Sequence, residues 1–377
     1  MLHVGFFMIG IITVLIGQVL PILSLRLSLT DRESGYFFIV QFAGSLAGTL
    51  SYNRIIKKFG YPRMLFGGFC MMVAGCLGIN LDSWFGCMAA VFLNGIGIGL
   101  TIPAINMLVV ELNAAKSSSA LNIVNFFWGL GAISCKPFID FVGSPTGFLL
   151  PTLLLSFVLL SIGSAIGFSR ISESASKNGK TSSVARPIWS TRTAWLIAIF
   201  GFLHIGVESS VGGWITTYES RLAPSSTTGW LSAAFIFFSF LVIGRGIAPL
   251  FFRFLSENTV LICSLVTMTG GMILILLTED YALFLIGAAV LGFGCSSVFP
   301  TNMSRFTKAF GPQATQNATP IFVLGGLGGA FTTWFTGYVS TAFNSLRAGF
   351  LVILISCLLL LVLQIILTRV SLNNVSD

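Results

Sequence analysis

Glu208 and His204 stand four residues apart in the apolar stretch Ala194–Tyr218, a spacing that places both side chains on one face of a helix. A carboxylate and an imidazole so placed can share or pass a proton. Of the 12 Asp and Glu residues, Glu208 is the one expected near the middle of an apolar span, and the other histidine is His3. A carboxylate in hydrocarbon is costly and normally faces an internal cavity, so the pair points to a transport pathway coupled to protons, with sodium as the alternative ion.

Further polar groups in apolar surroundings fall into two sets. Gln18, Asn94, Asn122, Asn125, Asn302 and Asn317 are neutral amides, and Trp128 and Trp214 offer aromatic faces. Sugars need amide donors and acceptors plus a face to stack on, and Asn122, Asn125 and Trp128 supply both within one helix. Taken singly, each asparagine is better explained by packing between helices; as a cluster with Trp128, sugar binding is a comparable reading. The second set is charged. Lys136 and Asp140 are four apart and suit an ion pair or gate near the outer face, Arg245 after Gly244 suits snorkelling or pairing at an inner gate, and Arg54 lies in a basic loop that suits gating.

The elements that must position these residues are membrane helices. The chain is 55% hydrophobic and 8% charged, against roughly 25% charged in soluble domains, which leaves no charged surface for a soluble fold. A spanning helix needs about 20 apolar residues. Spans are expected at 4–25, 35–53, 64–81, 85–110, 118–139, 146–168, 194–218, 228–250, 258–278, 282–303, 313–339 and 346–368. The first apolar run has no basic leader and reads as a span, not a cleaved signal.

Loop charge orients these spans. Arg54, Lys57, Lys58, Arg63, Lys177, Lys180 and Arg186 fall on one side, with only Arg26, Arg32, Arg221 and Arg347 on the other. The positive-inside rule then puts both termini in the cytoplasm, in a plasma (cell inner) membrane. The net charge of +8 is explained by these loops, so nucleic acid is not an expected partner. The 7 cysteines lie in apolar spans without a CxxC pair and read as small buried hydrophobes, not metal ligands. No nucleotide motif or cofactor site is apparent, and no enzyme activity is expected.

The Ser- and Lys-rich segment 171–191 reads as a cytoplasmic linker between a six-helix bundle at 1–170 and another at 192–377. The halves echo one another: Gly97-Ile-Gly99 with Pro103 in span four resembles Gly292-Phe-Gly294 with Pro300 in span ten, and Gly131 in span five can be laid on Gly329 in span eleven. Duplicated halves joined by a linker are a common transporter plan, with the substrate near the midplane.

The twelve spans, the linker and the basic loop Asn53-Arg54-Ile-Ile-Lys57-Lys58-Phe-Gly60-Tyr-Pro-Arg63 together resemble the major facilitator superfamily, with Asn53 in place of its usual acid. Within it, Leu121-Asn122-Ile-Val-Asn125-Phe-Phe-Trp128-Gly129-Leu-Gly131 and Gly206-Val-Glu208, Gly213-Trp214, Tyr218 resemble segments of the fucose-permease-like sugar:proton symporters. The resemblance implies an all-α membrane fold of two six-helix bundles and alternating access. The resulting expectation is a monomeric secondary transporter taking up a neutral sugar or similar polar solute with protons. The alternative is an exporter of amphipathic or drug-like compounds.

Overall fold

The computed structural model describes residues 1–112, 117–144, 147–169, 188–223, 231–311 and 318–373. Within these, the chain forms twelve α-helices. They are α1 (Leu2–Leu27), α2 (Asp31–Gly78), α3 (Trp84–Leu112), α4 (Ser117–Val142), α5 (Leu149–Gly167), α6 (Arg192–Leu222), α7 (Ala233–Phe251), α8 (Glu257–Leu277), α9 (Tyr281–Cys295), α10 (Val298–Phe310), α11 (Thr319–Ala342) and α12 (Leu346–Asn373). Eight helical segments are long and apolar enough to cross a membrane by length and composition.

Helix number equals span number only through two offsetting departures. The expected second and third spans are one unbroken helical run, α2, bent at Gly60 (φ 75°, ψ 171°). That φ favours glycine, and Pro62 follows two residues on. Conversely, the expected tenth span is α9 followed by α10, interrupted at Ser296–Ser297.

Helix starts are set by side chains that accept the free backbone N–H groups. Thr30 and Glu33 form a reciprocal capping box at α2, with Glu33 N donating to Thr30 Oγ1 at 3.2 Å and Thr30 N donating to Glu33 Oε2 at 2.8 Å. Ser232, Ser256 and Asp280 cap α7, α8 and α9, and Thr191 caps α6. Thr191 ends the expected linker, most of which lies outside the described residues.

The helices fall into two compact units, α1–α5 and α6–α12. In the first, α3 packs on α2 with glycines at the crossing: a Cβ on Gly95 would overlap the Gln41 carbonyl, and one on Gly99 the Ser45 carbonyl. Backbones approach this closely only where side chains are absent, which is how membrane helices gain contact without a hydrophobic drive.

The second unit repeats the device. Gly292 meets the Phe237 carbonyl as Gly95 meets Gln41, Gly294 meets Met268 as Gly97 meets Met72, and Gly328 meets the Phe202 carbonyl as Gly131 meets Phe7. One constant offset along the sequence relates Gly95 to Gly292, Gly97 to Gly294, Pro103 to Pro300 and Gly131 to Gly328. The sequence register, Gly97 on Gly292 and Gly131 on Gly329, is therefore corrected by two residues in one helix and one in the other. Glycines recurring every second position permit several registers; what each glycine touches selects one.

Candidate functional site

The second unit builds its charged site from three elements. Glu208 sits at the middle of the 31-residue α6. His204, one turn before it, is buried, with Nε2 3.5 Å from Glu208 Oε2. That distance is at the limit of hydrogen-bonding range, and neither ring nitrogen makes a satisfactory hydrogen bond among the described residues. Arg245 reaches across from α7, and its Nη2 donates to Glu208 Oε1 at 3.3 Å and Oε2 at 3.4 Å. The same guanidinium donates through Nε to the Ser296 carbonyl at 3.4 Å, at the interruption between α9 and α10. Gly244 makes the approach possible, because a Cβ there would overlap Ser296 Oγ.

Arg245 thus faces Glu208, a contact the sequence reading did not make. The two are far apart in sequence on different helices, and a basic residue near a helix end reads most simply as snorkelling. The available signal was electrostatic: a buried carboxylate needs a compensating cation, and Arg245 is the basic residue set within the neighbouring span.

Sequence reading also missed Glu219. It lies at the end of the expected seventh span but is fully buried in the structure. Its Oε1 accepts from the backbone N–H of Ala233 at 2.9 Å and from the Tyr281 hydroxyl at 2.8 Å, so one carboxylate ties the end of α6 to the starts of α7 and α9. With donors on both neighbouring helices, Glu219 reads as a structural clasp.

The remaining candidates are dispersed. In the first unit Gln18 is buried in α1, and buried Asn94 accepts from Gln41 Nε2 at 3.3 Å. Asn125 is exposed and bonds the Leu121 carbonyl at 2.8 Å, with Trp128 half-buried one turn on. The Asn122 side chain and Asn317 lie outside the described residues. Lys136 and Asp140 form the expected i,i+4 ion pair, with Lys136 buried. Arg54 is exposed. In the second unit Trp214 is buried and donates to the Thr333 carbonyl at 2.8 Å, and buried Asn302 donates to the Ile197 carbonyl at 3.0 Å. Trp214, Asn94 and Asn302 therefore already have protein partners. Among the described residues, no cluster of three His, Cys, Asp or Glu side chains could hold a metal ion.

Apolar helices in two similarly built units, with an ion-paired carboxylate inside one of them, define an integral membrane transporter. Residues 2–313 match the pattern of the Major Facilitator Superfamily, and the chain belongs to that family. It is 23% identical over 348 residues to the glucose/mannose transporter GlcP of Bacillus subtilis, covering 88% of this chain and 85% of that one. It is also 23% identical over 258 residues to Bypass of stop codon protein 6 of Saccharomyces cerevisiae, of which the matched part spans about half (52%). Among solved structures, the Escherichia coli fucose:proton symporter FucP superposes with a TM-score of 0.60 at 18% identity, covering 97% of each chain. At that identity the likeness shows the fold.

Proposed function

We propose that the protein takes up a neutral sugar together with a proton, and that Glu208 carries the proton. The observation behind this reading is the Glu208–Arg245–His204 cluster inside the apolar second unit. Ionised, Glu208 satisfies Arg245; protonated, it gives up that pairing and leaves the guanidinium with its tie to Ser296. Proton uptake at Glu208 thereby changes how α6 and α7 are held together, which is the coupling a symporter requires. The transported solute is a sugar, in keeping with the names of the glucose/mannose and fucose relatives. Gln18, Asn122, Asn125 and Trp128 in the first unit are the proposed hydrogen-bonding and stacking groups, and Asn94 in that unit and Asn302, Asn317 and Trp214 in the second are further proposed contacts to substrate. Lys136–Asp140, Arg54 and Arg245 act in gating. The protein works as a monomer in the cell inner membrane with both termini cytoplasmic.

The test is uptake by purified protein in liposomes. Radiolabelled glucose, galactose and fucose are offered under an imposed pH gradient, then under a sodium gradient, then with neither. Accumulation of one sugar under the pH gradient is expected. Accumulation only with sodium would reassign the ion, and extrusion of a lipophilic dye without sugar uptake would favour export of amphipathic compounds.

A further inference from the structure

Two fully buried polar groups on one side of Glu208 lack the partners their chemistry demands. Asn302, 1% exposed, spends its amide N–H on the Ile197 carbonyl, but its Oδ1 accepts nothing among the described residues. His204, fully buried, has no hydrogen-bond partner at Nδ1. His204 and the Ile197 carbonyl that Asn302 meets from α10 belong to one stripe of α6. Ile197, Gly201, His204 and Glu208 follow at spacings of four, three and four, which keeps them on a single helical face. Gly201, between the Asn302 contact and His204, opens that stripe: a Cβ there would meet only Ile321 Cγ2 at 3.6 Å and Asn302 Nδ2 at 3.8 Å. Orphaned buried polar atoms beside residual space are the usual signature of a structural water.

We propose that Asn302, His204 and the bare face of Gly201 hold an internal water that relays the proton between Glu208 and the Thr191 end of α6. The proposal rests on the proton-coupled reading above. In the transfer, the O–H bond of protonated Glu208 breaks as His204 Nε2 takes the proton. The N–H bond at Nδ1 then breaks as the water, held by Asn302 Oδ1, accepts that second proton and passes it on. The passage leaves the ring as the Nε2–H tautomer, having gained one proton and lost one, and a flip of the ring restores the starting tautomer before the next passage. The ionisable groups around the route are Arg245 from α7, Cys295 from α9 beside Glu208, Cys357 from α12 and Arg305 from α10. Arg305 lies one turn beyond Asn302, donates to Gln364 and Asn258 and carries a fixed charge, so it disfavours a resident hydronium and keeps the relay transient.

Asn302→Leu removes the acceptor, and Gly201→Ala fills the gap with a methyl group that the contact distances accommodate. Both variants are compared with the parent for pH-gradient-driven uptake and for sugar counterflow, which needs no net proton movement. We expect driven uptake to fall about tenfold in Gly201→Ala with counterflow nearly unchanged at intact thermal stability, and Asn302→Leu, which also loses the Asn302 amide, to lose driven uptake at least as strongly. Equal loss of both activities, or loss of neither, in the well-folded Gly201→Ala protein would assign the stripe to packing and overturn the relay. A high-resolution experimental map decides the water itself, through density within hydrogen-bonding reach of Asn302 Oδ1. If the parent shows no proton-driven uptake, the coupling reading and the relay fall together. Density at Asn302 then still upholds the water site, and its absence overturns it.

Discussion

Glu208→Gln is the most informative single change. Arg245 Nη2 lies 3.3 and 3.4 Å from the two carboxylate oxygens. At that distance two unit charges interact by about 5 kcal/mol at an effective dielectric of about 20. The side chains are 19% and 33% exposed, so solvent screens part of this, and desolvation of both groups opposes it. Removing one member of a buried pair typically costs about 3–5 kcal/mol. Glutamine still offers an oxygen to Arg245, so the loss in stability should be nearer 2 kcal/mol. A cycle through Glu208→Gln, Arg245→Leu and the double variant, followed by thermal unfolding in detergent, should show the double change costing about 2 kcal/mol less than the sum of the single changes.

The transport consequence is larger. One pH unit is worth 1.36 kcal/mol, so one proton per sugar sustains about a tenfold concentration ratio across the membrane. Glu208→Gln has no proton to carry, and its ratio should fall to about one while counterflow continues. The assay is steady-state accumulation in liposomes at an imposed gradient, normalised to counterflow in the same preparation. A Glu208→Gln protein that still concentrates sugar as the parent does would refute the coupling argument. Additivity in the stability cycle would separately refute the claim that Arg245 is held by Glu208.

Trp128→Ala should weaken sugar binding by about 1 kcal/mol or more if the ring stacks on substrate, read by ligand-induced thermal shift; unchanged affinity in a folded variant would make the residue packing. His204→Gln should move the pH of half-maximal uptake without abolishing counterflow, measured as a pH profile in liposomes. Thr30→Ala should cost about 1 kcal/mol by dissolving the capping box of α2. The backbone N–H of Thr30, kept in the variant, and then its hydroxyl, which donates to Glu33 Oε2 at 2.8 Å and is lost in the variant, hold the Glu33 carboxyl below its usual range. That contribution is therefore present above the ordinary carboxylate pKa and lost as pH falls through the lowered one. The Thr30→Ala deficit should accordingly shrink in acid, and a deficit independent of pH would count against the box.

What the sequence disclosed and what it hid follow from range. Span positions depend on composition over some twenty residues, so most helices were legible, as in α6, expected from residue 194 and found from Arg192. The His204–Glu208 contact was legible because helical geometry fixes neighbours four apart. So was Lys136–Asp140. Arg245 on Glu208 was not, because the contact crosses from α7 to α6 and no periodicity encodes it. Glu219 was missed for a related reason. At a span end a carboxylate is ordinarily taken as solvated, and only the fold reveals that the starts of α7 and α9 enclose it with two donors. The cluster of Asn122, Asn125 and Trp128 was drawn from spacing alone, and in the structure Asn125 bonds its own helix at Leu121.

The corrected internal register gives the charge pair a structural origin. Gly48 packs against Ile96 and Gly99 as Gly244 packs against Phe293 and Ser296, which makes Arg245 the counterpart of Thr49. The hydrogen bonds agree, since Thr49 Oγ1 donates to the Gly99 carbonyl at 3.1 Å and Arg245 Nε to the Ser296 carbonyl at 3.4 Å. Likewise Gly131 on Phe7 matches Gly328 on Phe202, which makes Thr13 the counterpart of Glu208 in register, and the Thr13 hydroxyl donates to the Ile9 carbonyl of its own helix. One scaffold thus carries two threonines in the first unit and a glutamate–arginine pair in the second. The shared bond to the α3 or α9–α10 carbonyl belongs to the scaffold, and the reach of Arg245 to Glu208 is the addition. Replacing both partners together, Glu208→Thr with Arg245→Thr, should therefore restore the arrangement the first unit already tolerates. We expect this double variant to fold with a stability closer to the parent than Arg245→Thr alone, because no buried charge is left without a partner. It should equilibrate sugar across the membrane but not concentrate it. If the double variant is no more stable than the single one, the two units are not equivalent at these positions. If it still accumulates sugar against a gradient, coupling lies outside the pair.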